Sequence, residues 1–294
     1  YFGKGKDSHD TFAGLKISQC EWYERHMNQH HVIHIMLNEV PDEYVSYPEY
    51  ISRIKSLLQE DLIREFPDAG IRETESLWDS LNKVIEYTDD KKFIFILDEW
   101  DYIFQRRFVS EQDKEAYVGF LSTLLKDQPY VEFVYMTGIL PIAKYSSGSE
   151  LNMFYEYTMA TREKFSEYFG FTDEEVDELY QKYLQIESSP KIEREALKLW
   201  YDGYQTMSGR RLYNPRSVVG ALSDNQLGNY WTSSGPYDEI SYYVKHNVDQ
   251  VRDDLAFMVS GMAIEASVQE YAATSMELTT RDEIFSAMVV YGFL

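Results

Sequence analysis

Near the middle of the chain an apolar run, Phe93-Ile-Phe-Ile-Leu97, stops abruptly at Asp98-Glu-Trp-Asp101. Carboxylates offer oxygen ligands to a hard cation or accept a proton, so paired acids at a fixed strand end could do either. The bland alternative is that Asp98 and Glu99 only finish a strand in solvent, which is common. A second feature favours chemistry. The next apolar run, Tyr130-Val-Glu-Phe-Val-Tyr-Met136, ends in Thr137-Gly138, so two adjacent strand ends would face one ligand.

The elements that must position these residues follow from periodicity. A run that is apolar at every position suits a strand covered on both faces, and His31-Val-Ile-His-Ile-Met-Leu37 reads as another buried strand. Between the two, Tyr50, Ile51, Ile54, Leu57, Leu58, Leu62 and Ile63 recur at helical spacing and stop before Pro67. Leu77, Leu81, Val84 and Ile85 mark a second amphipathic helix, and Tyr117, Val118, Phe120, Leu121, Leu124 and Leu125 a third. The order strand, helix, helix, strand, helix, strand predicts an α/β unit over residues 1–155.

Beyond residue 155 the strand signals fade, and an all-helical part is expected over 156–294. Thr172-Asp-Glu-Glu175 has the form of a capping box, so its acids read as first-turn charges. Gly203 is expected to cap a helix ending in Leu199-Trp-Tyr201, and Asn214-Pro215 to begin another.

Fifty acidic against 28 basic residues leave a formal charge of −22, which repels phosphate backbones and argues against direct nucleic-acid binding by this segment. A local pocket for a nucleotide survives that field, because a few donors and one Mg²⁺ overcome it. The single Cys20 permits no internal disulfide, and no apolar run is long enough to span a membrane, so a reducing, cytoplasmic setting is expected. The sequence opens at Tyr1 rather than Met, and Tyr1 to Gly14 read as the tail of a helix and a loop continuing from something upstream.

The strand Phe93–Leu97 followed by Asp98-Glu99 resembles the Walker B strand of P-loop NTPases. More specifically, the chain resembles the bacterial AAA-ATPase-like family, which often carries a C-terminal nuclease-like domain of the PD-(D/E)xK type. The likeness rests on Phe12-Ala-Gly-Leu-Lys-Ile17, Phe93 to Asp101, Tyr135-Met-Thr-Gly-Ile-Leu-Pro-Ile-Ala-Lys144, Phe169 to Val176, Trp200-Tyr-Asp-Gly-Tyr204, Leu212-Tyr-Asn-Pro215 and Asn229-Tyr-Trp231, in that order. It implies a P-loop NTPase-like parallel sheet, truncated at its N-terminus, followed by a helical lid. Asp98 would orient Mg²⁺, Glu99 would polarise the attacking water, and Thr137 would sense the γ-phosphate of ATP. It also implies a Gly-Lys-Ser/Thr phosphate loop just upstream of residue 1, and a nuclease-like domain after Met288 to Leu294. Gly3-Lys-Gly-Lys-Asp-Ser8 is not that loop, since neither Gly-Lys precedes Ser or Thr; it reads as a basic surface turn.

In such a fold the strand before the phosphate loop lies in mid-sheet, so its loss is expected to leave an internal gap beside Phe93–Leu97 and Val131–Met136. The implied function is a nucleotide-dependent switch acting on a protein partner or the appended domain. The rival is a non-enzymatic scaffold whose helical surfaces bind a protein. Family members commonly have Tyr in place of Trp100 and an aromatic in place of Arg216, which reads as a solvated arginine. No arginine finger can be singled out among Arg162, Arg210, Arg211 and Arg216. His30 and His34 have a helical zinc spacing but sit in a strand-like context, and Trp200–Tyr204 reads as core.

Overall fold

Phe93–Asp98 form β2, and their uniformly apolar composition matches their position as the middle strand of three. β1 (His31–Met36) and β3 (Val131–Met136) flank it, both parallel to it. The β1 register runs from His31 opposite Phe93 to Met36 opposite Asp98. On the other side Phe93 faces Val131, the register then shifts, and Ile94 to Leu97 face Phe133 to Met136. The computed structural model describes residues 1–39, 46–106, 108–139, 142, 150–158, 162–206, 208–230, 248–267 and 280–290. Leu140, Pro141, Ala143, Lys144, Trp231 and 291–294, which belong to motifs quoted above, lie outside them.

The expected helices connect the strands. After the short α1 (His9–Phe12) and α2 (Tyr23–His26) come α3 (Tyr47–Glu65), α4 (Leu77–Tyr87) and α5 (Glu111–Leu125). Pro48 sits in the first turn of α3, where its missing N–H costs nothing. Ser76 caps α4 by accepting from the Asp79 N–H at 3.2 Å, and Ser110 with Asp113 forms a reciprocal capping box on α5. Tyr117, Leu121 and Leu124 of α5 are fully buried.

Strand alternation divides the sheet into unequal faces. Phe93, Phe95 and Leu97 are buried on one, where the ring of Phe66 meets Phe93 edge-on at 6.2 Å. On the other, register groups Met36, Ile96, Phe133 and Tyr135, and Phe133 and Tyr135 remain 50% and 56% exposed.

Two expectations for this unit need correction. β2 has a neighbour on each side, so no gap borders Phe93–Leu97; the side of β3 away from β2 has no partner among the described residues, at the edge of the sheet rather than inside it. Residues at the N-terminus are not simply a loop. Gly3 bridges to His30 in parallel, with the Lys4 N–H donating to the His30 carbonyl at 3.0 Å and the His30 N–H to that of Phe2 at 2.9 Å. The backbone of this segment is satisfied by the approach to β1.

Two compact units divide the chain: Tyr1–Leu140 with Tyr145–Met153, and Pro141–Lys144 with Phe154–Leu294. The second holds α6 (Asp173–Ile186), α7 (Arg194–Tyr201), α8 (Pro215–Asp224), α9 (Val248–Val259) and α10 (Arg281–Val290). It is not all-helical, which corrects the expectation. β4 (Asp202–Gln205) and β5 (Arg211–Tyr213) pair antiparallel, and Tyr213 also bridges Phe171. Gly203 therefore lies inside a strand, and α7 stops where the hairpin takes up the backbone. Gly170 permits that bridge, since a Cβ there would stand 2.8 Å from the Tyr213 carbonyl. The Thr172 capping box and the Asn214 cap, which accepts from Ser217 N–H at 2.9 Å, are both formed.

Val176, Tyr183, Leu197, Tyr201, Tyr213 and Val218 form the core of this unit. At its margin Arg194 bonds Asp173 and Asp177, each at 2.6 Å, and its guanidinium lies over the Tyr213 ring. The Tyr213 hydroxyl, Arg194 and Lys198 hold the Asp173 carboxyl down to about 2. A folded-state value below the ordinary carboxylate value stabilises the fold above about pH 4, and that contribution is lost as pH falls through 2. Because Asp173 is 50% exposed, we expect only about 1 kcal/mol. Urea unfolding at pH 5 and pH 2.5 should show a smaller acid loss for Asp173→Asn than for the parent sequence; equal losses would exclude the effect.

Candidate functional site

The C-terminal ends of β2 and β3 place Asp98, Glu99 and Thr137 together. The Thr137 hydroxyl donates to Asp98 Oδ1 in a short hydrogen bond and accepts from the Glu99 backbone N–H at 3.3 Å. Main-chain bonds hold the same junction: Thr137 N–H to the Leu97 carbonyl at 2.9 Å and Trp100 N–H to the Thr137 carbonyl at 3.0 Å. Asp98 Oδ2 and the Glu99 carboxylate make no hydrogen bond among the described residues. Both therefore keep acceptor capacity for a cation or water.

Glu99 has a left-handed backbone, with φ 51°. Among the described residues, five of the seven non-glycine positions in this region of φ are Asn or Asp, the types that tolerate it; Glu99 and Phe165 are not. Holding Glu there costs on the order of 1 kcal/mol or more, and such strain gathers at functional sites. The turn ends β2 and leaves the Glu99 side chain exposed beside half-buried Asp98, while Trp100 and Asp101 are buried.

Residues that sequence reasoning did not single out hold this turn. The Tyr117 hydroxyl donates to the Trp100 carbonyl at 2.7 Å, and complete burial pushes its pKa up, so it stays a neutral donor. Asp101, only 3% exposed, accepts the Ile139 N–H on Oδ2 at 2.9 Å. Gly138 lies so close that a Cβ there would stand 2.4 Å from the Trp100 ring and 2.8 Å from Asp101 Oδ1. For Asp101 and Gly138 the only signal was adjacency to Asp98 and Thr137, because burial of a carboxylate cannot be read from spacing; Tyr117 was marked only as part of the apolar face of its helix.

Other candidates are less well equipped. A cavity of about 520 Å³ in the second unit is lined by Asp173, Glu174, Asp202, Lys198, Arg210 and Arg211, three acids against three bases. Lys198 is spent on Asp173 and Arg210 on Glu167, both at 3.2 Å, so the wall gives an anion little purchase. Neither this cavity nor one of about 490 Å³ over Ile51, Trp78 and Phe120 is lined by Asp98, Glu99 or Thr137. We give the strand-end cluster precedence because its groups are convergent and unneutralised. His30 turns to His26, with ring nitrogens 2.9 Å apart, while His34 is exposed. Among the described residues no group of three or more His, Cys, Asp or Glu could hold a metal ion. Arg216 is exposed on the first turn of α8. No described helix is long and apolar enough to cross a membrane.

The fold is thus mixed α/β, with a three-stranded parallel sheet whose form is compatible with a P-loop-like protein. The chain belongs to the AAA-ATPase-like family, described as predicted AAA-ATPase, which matches residues 1–147 and makes it an ATPase-like module in general terms. No curated protein and no solved structure matches it.

Proposed function

We propose that this chain carries the metal and hydrolysis side of an ATPase of the P-loop type, and that the full-length parent is a nucleotide-dependent switch. Asp98 would hold the Mg²⁺ of Mg·ATP, Glu99 would take the proton of the attacking water, and Thr137 would sense the γ-phosphate by exchanging its hydroxyl bond to Asp98 Oδ1 for one to a phosphate oxygen when nucleotide binds. The observation that carries this reading is the hydrogen-bonded cluster of Asp98, Thr137 and the strained Glu99 turn. An all-oxygen set with one or two carboxylates fits Mg²⁺, which keeps waters and phosphate oxygens as its remaining ligands. Bound Mg²⁺ supplies charge neutralisation of the phosphates.

The phosphate loop, in this reading, belongs to a strand-and-helix unit of the parent. Two features support it: the outer edge of β3, which pairs with no described strand, and the exposed apolar face of Phe133 and Tyr135. Parallel sheets are ordinarily covered on both faces. The part from 156 to 294 would pass the nucleotide state to a protein partner or an appended nuclease-like domain, in the cytoplasm and without direct nucleic-acid binding by this segment. The chain by itself is expected to be inactive, since amide donors and a lysine provide much of triphosphate affinity.

The test is Mg·ATP titration of the chain extended into its upstream reading frame. A Gly-Lys-Ser/Thr within about twenty residues before Tyr1, and Mg²⁺-dependent binding weakened at least about tenfold by Asp98→Asn, are the expected results. An extended protein that binds no Mg·ATP would favour the scaffold instead.

A further inference from the structure

We infer that Asp101 is a positioning residue that fixes the Thr137 hydroxyl on Asp98, an inference that rests on the proposed role of that cluster. Asp101 stands at the N-cap of a 3₁₀ turn, Tyr102–Gln105, yet its side chain makes no cap bond there. It is turned instead to the exit of β3, where Oδ2 receives the Ile139 N–H at 2.9 Å and Oδ1 lies against Gly138. A carboxylate 3% exposed is costly to desolvate, and bonds from backbone N–H groups offset that cost.

The location gives this bond its consequence. The β2–β3 ladder ends with the main-chain bonds between Leu97, Thr137 and Trp100. Gly138 and Ile139 lie beyond it and are themselves exposed. Asp101 carries the connection two residues past Thr137, and the Trp100 ring closes over Gly138 from the same turn. The β2 exit thus grips the β3 exit on both sides of Thr137. With the grip released, Gly138 and Ile139 are no longer anchored, so the terminal ladder bonds at Thr137 can fray and its hydroxyl can leave Asp98 Oδ1, which would unsettle the carboxylate assigned to the metal. Asp101 touches none of the reacting groups; it acts through Thr137.

Amide exchange and carboxyl ¹³C NMR on the present chain test this without nucleotide. In Asp101→Ala the Ile139 amide should exchange at least about tenfold faster while the Ile94 to Leu97 amides keep their protection. The Asp98 carboxyl signal should move as it does in Thr137→Val, and the double variant should move it no further. Asp101→Asn, which keeps an acceptor for the amide, should restore the parental signal. Should the alanine variant not fold, Ile139→Pro removes the amide donor at an exposed position and should move the Asp98 signal in the same way. An unmoved Asp98 signal in folded Asp101→Ala or Ile139→Pro, or additive shifts in the double variant, would overturn the inference. Those outcomes are separate from the hydrolytic reading: absence of Mg·ATP binding by the extended protein sinks that reading whatever the Asp98 signal does.

Discussion

On its proposed role, Glu99→Gln in the upstream-extended protein is expected to slow ATP turnover about a hundred- to a thousand-fold while Mg·ATP binding stays within a few-fold of the unsubstituted protein. Gln has the size of Glu and the same difficulty with a left-handed backbone, so the strain at φ 51° is common to both proteins and cancels in the comparison. What changes is the group proposed to accept the proton of the attacking water, since a neutral amide is a far poorer base. Asp98 remains, so the proposed metal end of the site is unchanged. Phosphate release under single-turnover conditions measures the chemical step apart from product release. A rate equal to that of the parent would remove Glu99 from the mechanism, and a lost fold would show as a lost Mg·ATP titration.

The second large effect is on stability. Phe95→Ala should cost about 3–5 kcal/mol, because it deletes a fully buried ring from the middle strand. That ring meets both Phe93 and Tyr130 at 6.2 Å between centroids, so neighbouring aromatic side chains would border the resulting cavity. Tyr135→Ala changes a residue of similar size on β3 but on the opposite face, where it is 56% exposed, and should cost less than about 1 kcal/mol. Urea unfolding of the two variants compares the faces directly. Comparable losses would mean that the Tyr135 face is packed against something, contrary to its exposure. Since a domain is stable by only about 5–15 kcal/mol, Phe95→Ala should also lower soluble yield.

The contrast between those residues also marks how far a sequence can be read. Periodicity was enough for β1, β2, β3 and the three long helices between them, because each buries a face set by a local repeat of two or of about 3.6 residues. Capping chemistry was legible for the same reason: Thr172 with Glu175, and Asn214 with Ser217, act within one turn. The hairpin of Asp202–Gln205 and Arg211–Tyr213 was not. Its strands are four and three residues long, too short for a pattern, and they form because Tyr213 can pair with Phe171 on one side and with Asp202 on the other.

For the candidate site the division is equally clear. The order of residue types by itself determined that Asp98 and Glu99 end one apolar run and Thr137 another, and family resemblance attached roles to them. Only the tertiary structure decided that the two runs are adjacent strands, that Thr137 is bonded to Asp98, and that Glu99 is held in a left-handed turn. It also decided that β3 is an edge among the described residues, that Gly138 is boxed in by Trp100, and that Asp101 accepts from Ile139 and makes no cap bond to its own helix. The physical reason is range. Burial faces and caps depend on neighbours a few positions away, whereas strand order and the partner of a buried carboxylate depend on residues about forty positions apart, whose meeting is set by the packing of the whole sheet.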